Sequence, residues 1–291
     1  MSRPAYSAAP LTSAPVPTET KSAGLAAPAA NLASLNAEAA TTGLLIINAD
    51  DWGRNREATD RTLDCVLRKT VSSASAMVFM EDSERAAQLA QEASVDTGLH
   101  INLTTRFSAT GCPASLTKHH DKVVGYLTRH RLAQIVYHPG LQGSFRYVIS
   151  AQLEEYRRLY GENPRRVDGH HHMHLCANVL LGGLLPDGIV ARRNFSFLPG
   201  QKSTLNRMYR KITDGILARS HRLTDYFFSL PPMKPANRLE RIVTLARKHV
   251  VEVETHPENI AEHEFLAGGE IFAYTGDLSI APRFEIPRAI A

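Results

Sequence analysis

Cysteine is scarce in this chain, and the few present do not pair. Cys65, Cys112 and Cys176 are the only three among 291 residues, with neither disulfide-type nor metal-type spacing. That argues against a disulfide-stapled secreted fold and for a reducing, cytoplasmic compartment. Long apolar runs are missing too, so no membrane span is expected. Charge of one sign is not in excess: 33 basic residues face 29 acidic ones, a formal net charge of +4. The basic residues form only short clusters, Arg129-His130-Arg131 and Arg165-Arg166, so nucleic acid is not an expected partner. There is no internal repeat. Residues 1–42 have almost no large apolar side chains and are dominated by Ala, Pro, Ser and Thr. Such a segment cannot bury enough surface to offset its ordering entropy, which predicts a disordered tail. It has no continuous apolar stretch like that of a secretory signal, and Glu19 and Glu38 sit badly in a transit peptide.

From Gly43 onward the pattern predicts a single folded domain over residues 43–291. Leu44 to Ala49 is a short apolar run of the kind found in a strand buried on both faces, and it ends in Asp50-Asp51-Trp52-Gly53. A helix is predicted over Glu57 to Lys69 with Leu63, Val66 and Leu67 on one side. A strand follows over Ser73 to Met80, then a helix from a Ser83 cap to Ala93, then a strand over Thr97 to Leu103. Later come a helix (Gln152 to Tyr160), a strand (Arg166 to His172), a short strand (Gly188 to Ala191), a helix (Leu239 to His249) and a strand (Val250 to Thr255). Alternating strands and helices imply a parallel α/β sheet, and the length favours closure into a barrel. Residues 108–144 and 195–235 resist assignment, and loops over one end of the sheet are expected within them.

The chemistry-bearing residues sit late in predicted strands, where sites form in parallel α/β folds. Asp168-Gly169-His170-His171-His172-Met173-His174 places four histidines and a carboxylate within seven residues. If the segment is extended, Asp168, His170, His172 and His174 share one face and His171 takes the other. Such a face can bind a divalent metal or move protons near neutral pH. Asp50 and Asp51 can enter one site only if the strand ends there and turns. Two adjacent carboxylates then require a cation or a proton between them. His100, Asn102 and Thr104 give the third strand a polar face, and Glu252, Glu254 and His256 do the same in the last. Each of these has a bland alternative: a helix N-terminus for the Asp pair, a hydrogen-bonded core histidine for His100, a structural ion pair for Glu254.

Four segments together make the chain resemble the YdjC-like carbohydrate deacetylases, a family that includes the chitooligosaccharide deacetylases and a hopanoid-biosynthesis-associated branch. They are Ile46-Ile47-Asn48-Ala49-Asp50-Asp51-Trp52-Gly53, Gly98-Leu99-His100-Ile101-Asn102-Leu103-Thr104, Val167-Asp168-Gly169-His170-His171-His172-Met173-His174 and Glu252-Val253-Glu254-Thr255-His256-Pro257. The resemblance runs from Gly43 to about Gly276. It thins between Ser108 and Gln152 and between Phe195 and Arg238.

The resemblance implies a distorted (β/α) TIM-like barrel, one divalent metal (Mg or Zn) and hydrolysis of an N-acetyl group on a small saccharide. Asp51, His100 and His170 would be the metal ligands, Asp50 the general base and His256 the general acid. His172 and His174 would line the site or support it, with Asn102 on the same polar face. Arg193 or its neighbour Arg192 would hold a sugar hydroxyl or stabilise Asp50, and Glu252 would orient His256. Trp52, Phe107, Tyr126, Phe195 and Phe197 are candidate stacking surfaces for a pyranose ring. A homodimer is the expected assembly. The chain departs from the family pattern at Trp52 (usually Phe), Gly169 (usually Ser), Glu258 (usually Gly) and in a shorter segment after Thr105. The alternatives are a metal-dependent phosphoesterase, for which Arg192 and Arg193 would form the phosphate clamp, another amidohydrolase, or a non-catalytic sugar-binding relative.

Overall fold

Seven short strands carry the architecture: β1 (Leu44–Trp52), β2 (Ser73–Ala76), β3 (Thr97–Ile101), β4 (Arg166–Gly169), β5 (Val190–Ala191), β6 (Tyr226–Ser229) and β7 (Val250–Thr255). They belong to a computed structural model that describes residues 43–197 and 202–286. The tail expected to be disordered, residues 1–42, lies outside the described residues.

All pairings are parallel, in the order β5-β4-β3-β2-β1-β7-β6. The sheet curls until its edges meet. Val190 bridges Arg222, and the Ser196 N–H donates to the Phe227 carbonyl at 2.7 Å. This is the expected distorted barrel, closed by an irregular seam instead of a regular ladder.

Side chains alternate along every strand. Leu45, Ile47 and Ala49 of β1, Val251 and Val253 of β7, Leu99 and Ile101 of β3 and Val167 of β4 point outward into apolar layers under the helices. The inner positions are polar and buried: Asn48, Ser73, Ser75, His100, Arg166, Asp168, Arg192, Glu252 and Glu254. Asn48 Nδ2 donates to Ser75 Oγ (2.7 Å), and Ser75 Oγ donates to Asp168 Oδ2 (2.6 Å). The barrel therefore holds a column of hydrogen bonds, which explains why an apolar-looking β1 interrupts its run with Asn48. Gly98 clears the way for Arg166, whose Cγ would lie 2.3 Å from a Cβ at that position.

The helices cover the outside: α1 (Arg56–Leu67), α2 (Ser83–Glu92), α3 (Ala114–Leu127), α4 (Gln142–Tyr160), α5 (Ala177–Leu181), α6 (Thr204–Leu217), α7 (Asn237–Ala246), α8 (Ile260–Ala267) and α9 (Phe272–Thr275). Several expectations are corrected. α1 buries Ala58, Thr59, Thr62 and Cys65 and leaves Leu67 exposed. Ser83 begins α2 but does not cap it; its hydroxyl accepts from the Met80 N–H and donates to the Met77 carbonyl. The two stretches that resist assignment from the sequence contain α3, the start of α4, α6 and β6. Each of those helices is locally periodic, but scattered Gly, Pro and aromatic residues obscure the pattern. Among the described residues no helix is long and apolar enough to cross a membrane.

Candidate active site

The site begins with a defect in β1. The β1–β2 register shifts between Ala49 and Trp52, and Asp51 adopts a φ of 65°. A bulge of this kind lets successive side chains point to the same side. Both carboxylates thereby enter the barrel mouth, by a bulge within the strand instead of the turn after it that the sequence suggests. Asp is one of the few non-glycine residues that tolerates this left-handed backbone.

Asp51 meets two histidines. Its Oδ1 lies 2.8 Å from His170 Nδ1 and 3.3 Å from His100 Nε2. The three donor groups lie within 4.8 Å of one another and all are buried. Asp51 Oδ1 and His100 Nε2 nevertheless have no hydrogen-bond partner. Buried polar atoms are rarely left unpaired, and donors that converge without bonding each other suit a shared cation. The opposite nitrogen of His100 lies 2.7 Å from Asp168 Oδ1. An Nδ1–H donated there leaves the Nε2 lone pair free for a metal, the usual supporting arrangement for a ligating histidine. Burial disfavours the His100 cation, but Asp50, Asp168 and Asp51 around it push its pKa up to about 10. The same histidines hold Asp51 well below the ordinary carboxylate range against the opposing effect of burial. This pocket requires positive charge, and Asp51, His100 and His170 fit a divalent ion. A second triad, Asp50, His100 and Asp168, also converges, but an arginine occupies both of its carboxylates.

That arginine is Arg192. Its guanidinium grips Asp50 with two bonds (Nη1 to Oδ2 at 2.6 Å, Nη2 to Oδ1 at 2.8 Å). It also reaches Asp168 (3.1 Å), Glu252 (2.7 Å) and Glu254 (3.5 Å). Asn48 Nδ2 adds a third donor to Asp50 at 2.9 Å. Burial would raise the pKa of Asp50, but Arg192 outweighs it and keeps the carboxylate ionised. At Glu252 and Glu254 the same arginine offsets burial only in part. Burial pushes Glu252 up to about 7 and Glu254 well above its ordinary value.

The histidine run does not follow strand alternation. β4 stops at Gly169, and residues 170–175 wind into a tight 3-10 turn kinked by left-handed backbone at His171 (φ 53°) and His172 (φ 58°). His170 reaches Asp51. His171 packs against His170 with ring centroids 4.0 Å apart and lies 2.9 Å from Thr104 Oγ1, so it does not face away from the site. His172 sits beside Glu254 (3.7 Å), with Phe195 edge-on at 4.6 Å. His174 is fully buried and does not line the mouth; its Nε2 lies 2.9 Å from the Arg192 carbonyl. Gly169 makes the turn possible, since a Cβ there would lie 2.8 Å from the His174 nitrogen. The exchange of serine for glycine at this position thus goes with the close seating of His174.

Three further expectations change. Asn102 is buried and staples the loop after β3, accepting from the Thr104 and Thr105 N–H groups and donating to the Thr105 carbonyl. Arg193 turns outward to Asp214 (2.9 Å), so Arg192 is the arginine on Asp50. Glu252 binds Arg192 and not His256. His256 places its Nε2 4.0 Å from Asp50 Oδ2, while its backbone N–H donates to Glu262. Glu258 bonds Arg54 (3.0 Å) and Asn55 (2.8 Å), and Arg54 also touches Asp51 Oδ2 (3.2 Å). The loops after β1 and β7 are thereby tied together across the mouth. Among the candidate aromatic surfaces, Trp52 is buried in the core and Phe107 stacks on His120. Phe195 lies at the rim.

The chain is similar to several known proteins. The chain is 30% identical to a mouse carbohydrate deacetylase over 141 residues, covering 46% of this chain and 44% of that protein. It is 34% identical to a chitooligosaccharide deacetylase from Proteus mirabilis over 138 residues, covering 47% and 52%. The matched segment thus spans about half the length of these curated relatives. A crystal structure described as a putative cellobiose-phosphate cleavage protein from Enterococcus faecalis shares the fold, with a TM-score of 0.57 at 17% identity over 83% of this chain and 98% of that one. The model of the family described as YdjC-like protein matches residues 44–269, and the chain belongs to that family.

Proposed function

We propose that this chain is a metal-dependent hydrolase that removes an N-acetyl group from an amino sugar or oligosaccharide. One observation carries the reading. Asp51, His100 and His170 converge with unpartnered donor atoms directly beside a separately held carboxylate, Asp50, and a half-exposed histidine, His256. The names of the matched relatives support the same reaction class. A divalent ion held by the three ligands would supply Lewis acidity toward the acetyl carbonyl and acidify water. Two imidazoles suit zinc, and a carboxylate with waters admits magnesium.

The chain's own residues supply the proton transfers. Asp50, kept ionised by Arg192, accepts the proton of the attacking water at Oδ2, the oxygen nearest His256. His256 gives a proton to the departing amine, without which the C–N bond does not break. Arg192 is enclosed by four carboxylates and Arg193 by Asp214, so neither serves as the phosphate clamp that a phosphoesterase reading requires. Retention of all five core residues disfavours a non-catalytic role. Unpaired Cys65, Cys112 and Cys176 support a reducing, cytoplasmic setting.

The test is acetate release from a panel of N-acetylated saccharides, using protein stripped and reloaded with single metals. Acetate with at least one metal is expected. No acetate from any member, with phosphate released from a phosphoester panel, would overturn the proposal.

A further inference from the structure

We propose that the exposed face of α6 docks this protein on an anionic lipid surface. α6 follows β5, so in a parallel βα fold its first turn stands at the active-site end of the barrel. Leu205, Met208, Tyr209 and Ile212 recur at the i, i+3, i+4, i+7 spacing of one helical face. They are 74%, 54%, 41% and 56% exposed. A contiguous apolar stripe left in water marks an interaction surface, whereas scattered exposed side chains do not. The helix is anchored by the opposite, narrow face of Thr213, Asp214 and Leu217.

The charges around the stripe identify the occupant. Lys202, Arg207, Lys211 and Arg219 are exposed on this helix and next to its two ends. Asp214 is the only acidic residue between 202 and 221, and it is buried against Arg193 and Asn194. The exposed surface of α6 thus carries cations and large apolar groups with no carboxylate. Such helices lie in the headgroup region of anionic bilayers, apolar side inward. A second copy of this chain would bring like charge against like, and the protein as a whole is basic. Residues 1–42 carry two basic and two acidic residues and offer no complementary charge.

The surface also leads toward the site. A cavity of about 530 Å³ lies between α6 and the barrel, lined by Phe195, Phe197, Arg210 and Arg238 among others. Phe195 is the ring that packs on His172. A molecule held at the bilayer surface would therefore meet this cavity on its way to the barrel mouth. The docking itself does not depend on the deacetylase reading.

The full chain, sedimented with vesicles of phosphatidylcholine alone or mixed with phosphatidylglycerol, tests this. Binding to the mixed vesicles only, weakened by added salt, is expected. The triple change Leu205→Glu, Met208→Glu, Ile212→Glu and the double change Arg207→Glu, Lys211→Glu should each lower partitioning by roughly tenfold or more. Thermal melts establish that the variants fold, and the single change Lys211→Glu at an exposed position serves where the triple variant does not. No binding of the parent chain to anionic vesicles would overturn the proposal. So would binding unchanged in the folded variants, or a solution dimer broken by the same changes without vesicle binding.

Discussion

Among the described residues two arginines are buried inside this barrel, one at each end, and they have opposite surroundings. Arg166, at the start of β4, donates to the Ala74 carbonyl (2.6 Å) and Asn48 Oδ1 (3.1 Å), pairs with one carboxylate, Asp96 (3.2 Å), and lies under the Phe284 ring. Arg192, just past β5, faces Asp50, Asp168, Glu252 and Glu254, with Asp51 beyond. At the lower end the buried arginine meets one anion. The upper end carries an excess of acid. Protonation of Glu252 and Glu254 relieves part of it, since burial raises both. Asp50, Asp51 and Asp168 then face Arg192 and the His100 imidazole, and a divalent cation at the Asp51–His100–His170 site would supply the positive charge that protonated His100 otherwise provides. Both guanidinium groups are buried. Charge balance separates the structural arginine from the functional one.

Removing each arginine tests that difference most severely. Arg192→Ala strands several carboxylates in a dry interior, and breaking a buried ion pair in this way costs about 3–5 kcal/mol. Arg166→Ala strands one carboxylate, Asp96, which is partly exposed and can hydrate, and leaves two neutral acceptors without their donor, so its cost should be smaller. Urea unfolding of the two variants measures both. Equal losses would mean that the two ends are electrostatically alike and that the acid excess has been misread.

Next in size are changes that leave the charge clamp in place and remove only a proton carrier. Asp50→Asn and His256→Ala should each lower turnover by roughly 10²–10⁴-fold, the usual worth of a general acid or base, while metal content stays that of the parent. If His256→Ala lost metal instead, His256 would belong to the ligand set and the division between holding and proton transfer would fail.

Much of this was legible beforehand. Strand–helix alternation placed Asp50, His100, His170 and His256 at one end of a parallel sheet, and the barrel mouth gathers all four. What failed depended on where strands stop. The sequence pattern predicts an extended chain through His172, but β4 ends at Gly169, and a short polar run carries no mark of its last extended residue. The same uncertainty leaves Arg192 and Arg193 undistinguished in the sequence. Adjacent residues leaving a two-residue strand point in opposite directions, so a one-residue error reverses the assignment. The polar barrel interior was visible only in Asn48, Ser73 and Ser75, small residues that read equally well as tolerated strand positions.

Acid stability probes residues outside the charged mouth. His120 on α3 is buried against Phe107, and burial holds its pKa down at about 4 despite its contact with the Asn102 carbonyl. A histidine depressed on folding stays neutral in the native state while the unfolded chain takes up its proton. Its contribution is therefore complete above about pH 6.5 and is lost as pH falls toward 4. At about 1.4 kcal/mol per pKa unit this is worth up to roughly 3 kcal/mol. Glu252 acts in the opposite sense. Its pKa is raised on folding, so its burial penalty grows between its ordinary value and about 7. The difference in unfolding free energy between parent and His120→Gln isolates the histidine. That difference should shrink from pH 6.5 to 4 whether or not metal is present. A constant difference would place His120 in a hydrated environment.

The smallest effect is expected at His171, beside a residue whose loss should be among the largest. His170→Ala removes a ligand and should abolish metal binding by calorimetry. His171 contacts the His170 ring and Thr104 Oγ1, is exposed, and touches neither Asp51 nor Arg192. His171→Ala should therefore shift stability by no more than about 0.5 kcal/mol, in the range of ordinary surface changes, and leave metal affinity nearly intact. A large loss of affinity at His171 would mean that its ring fixes the orientation of His170. The excess-acid end of the barrel would then extend one residue further into the turn than the contacts around Asp51 indicate.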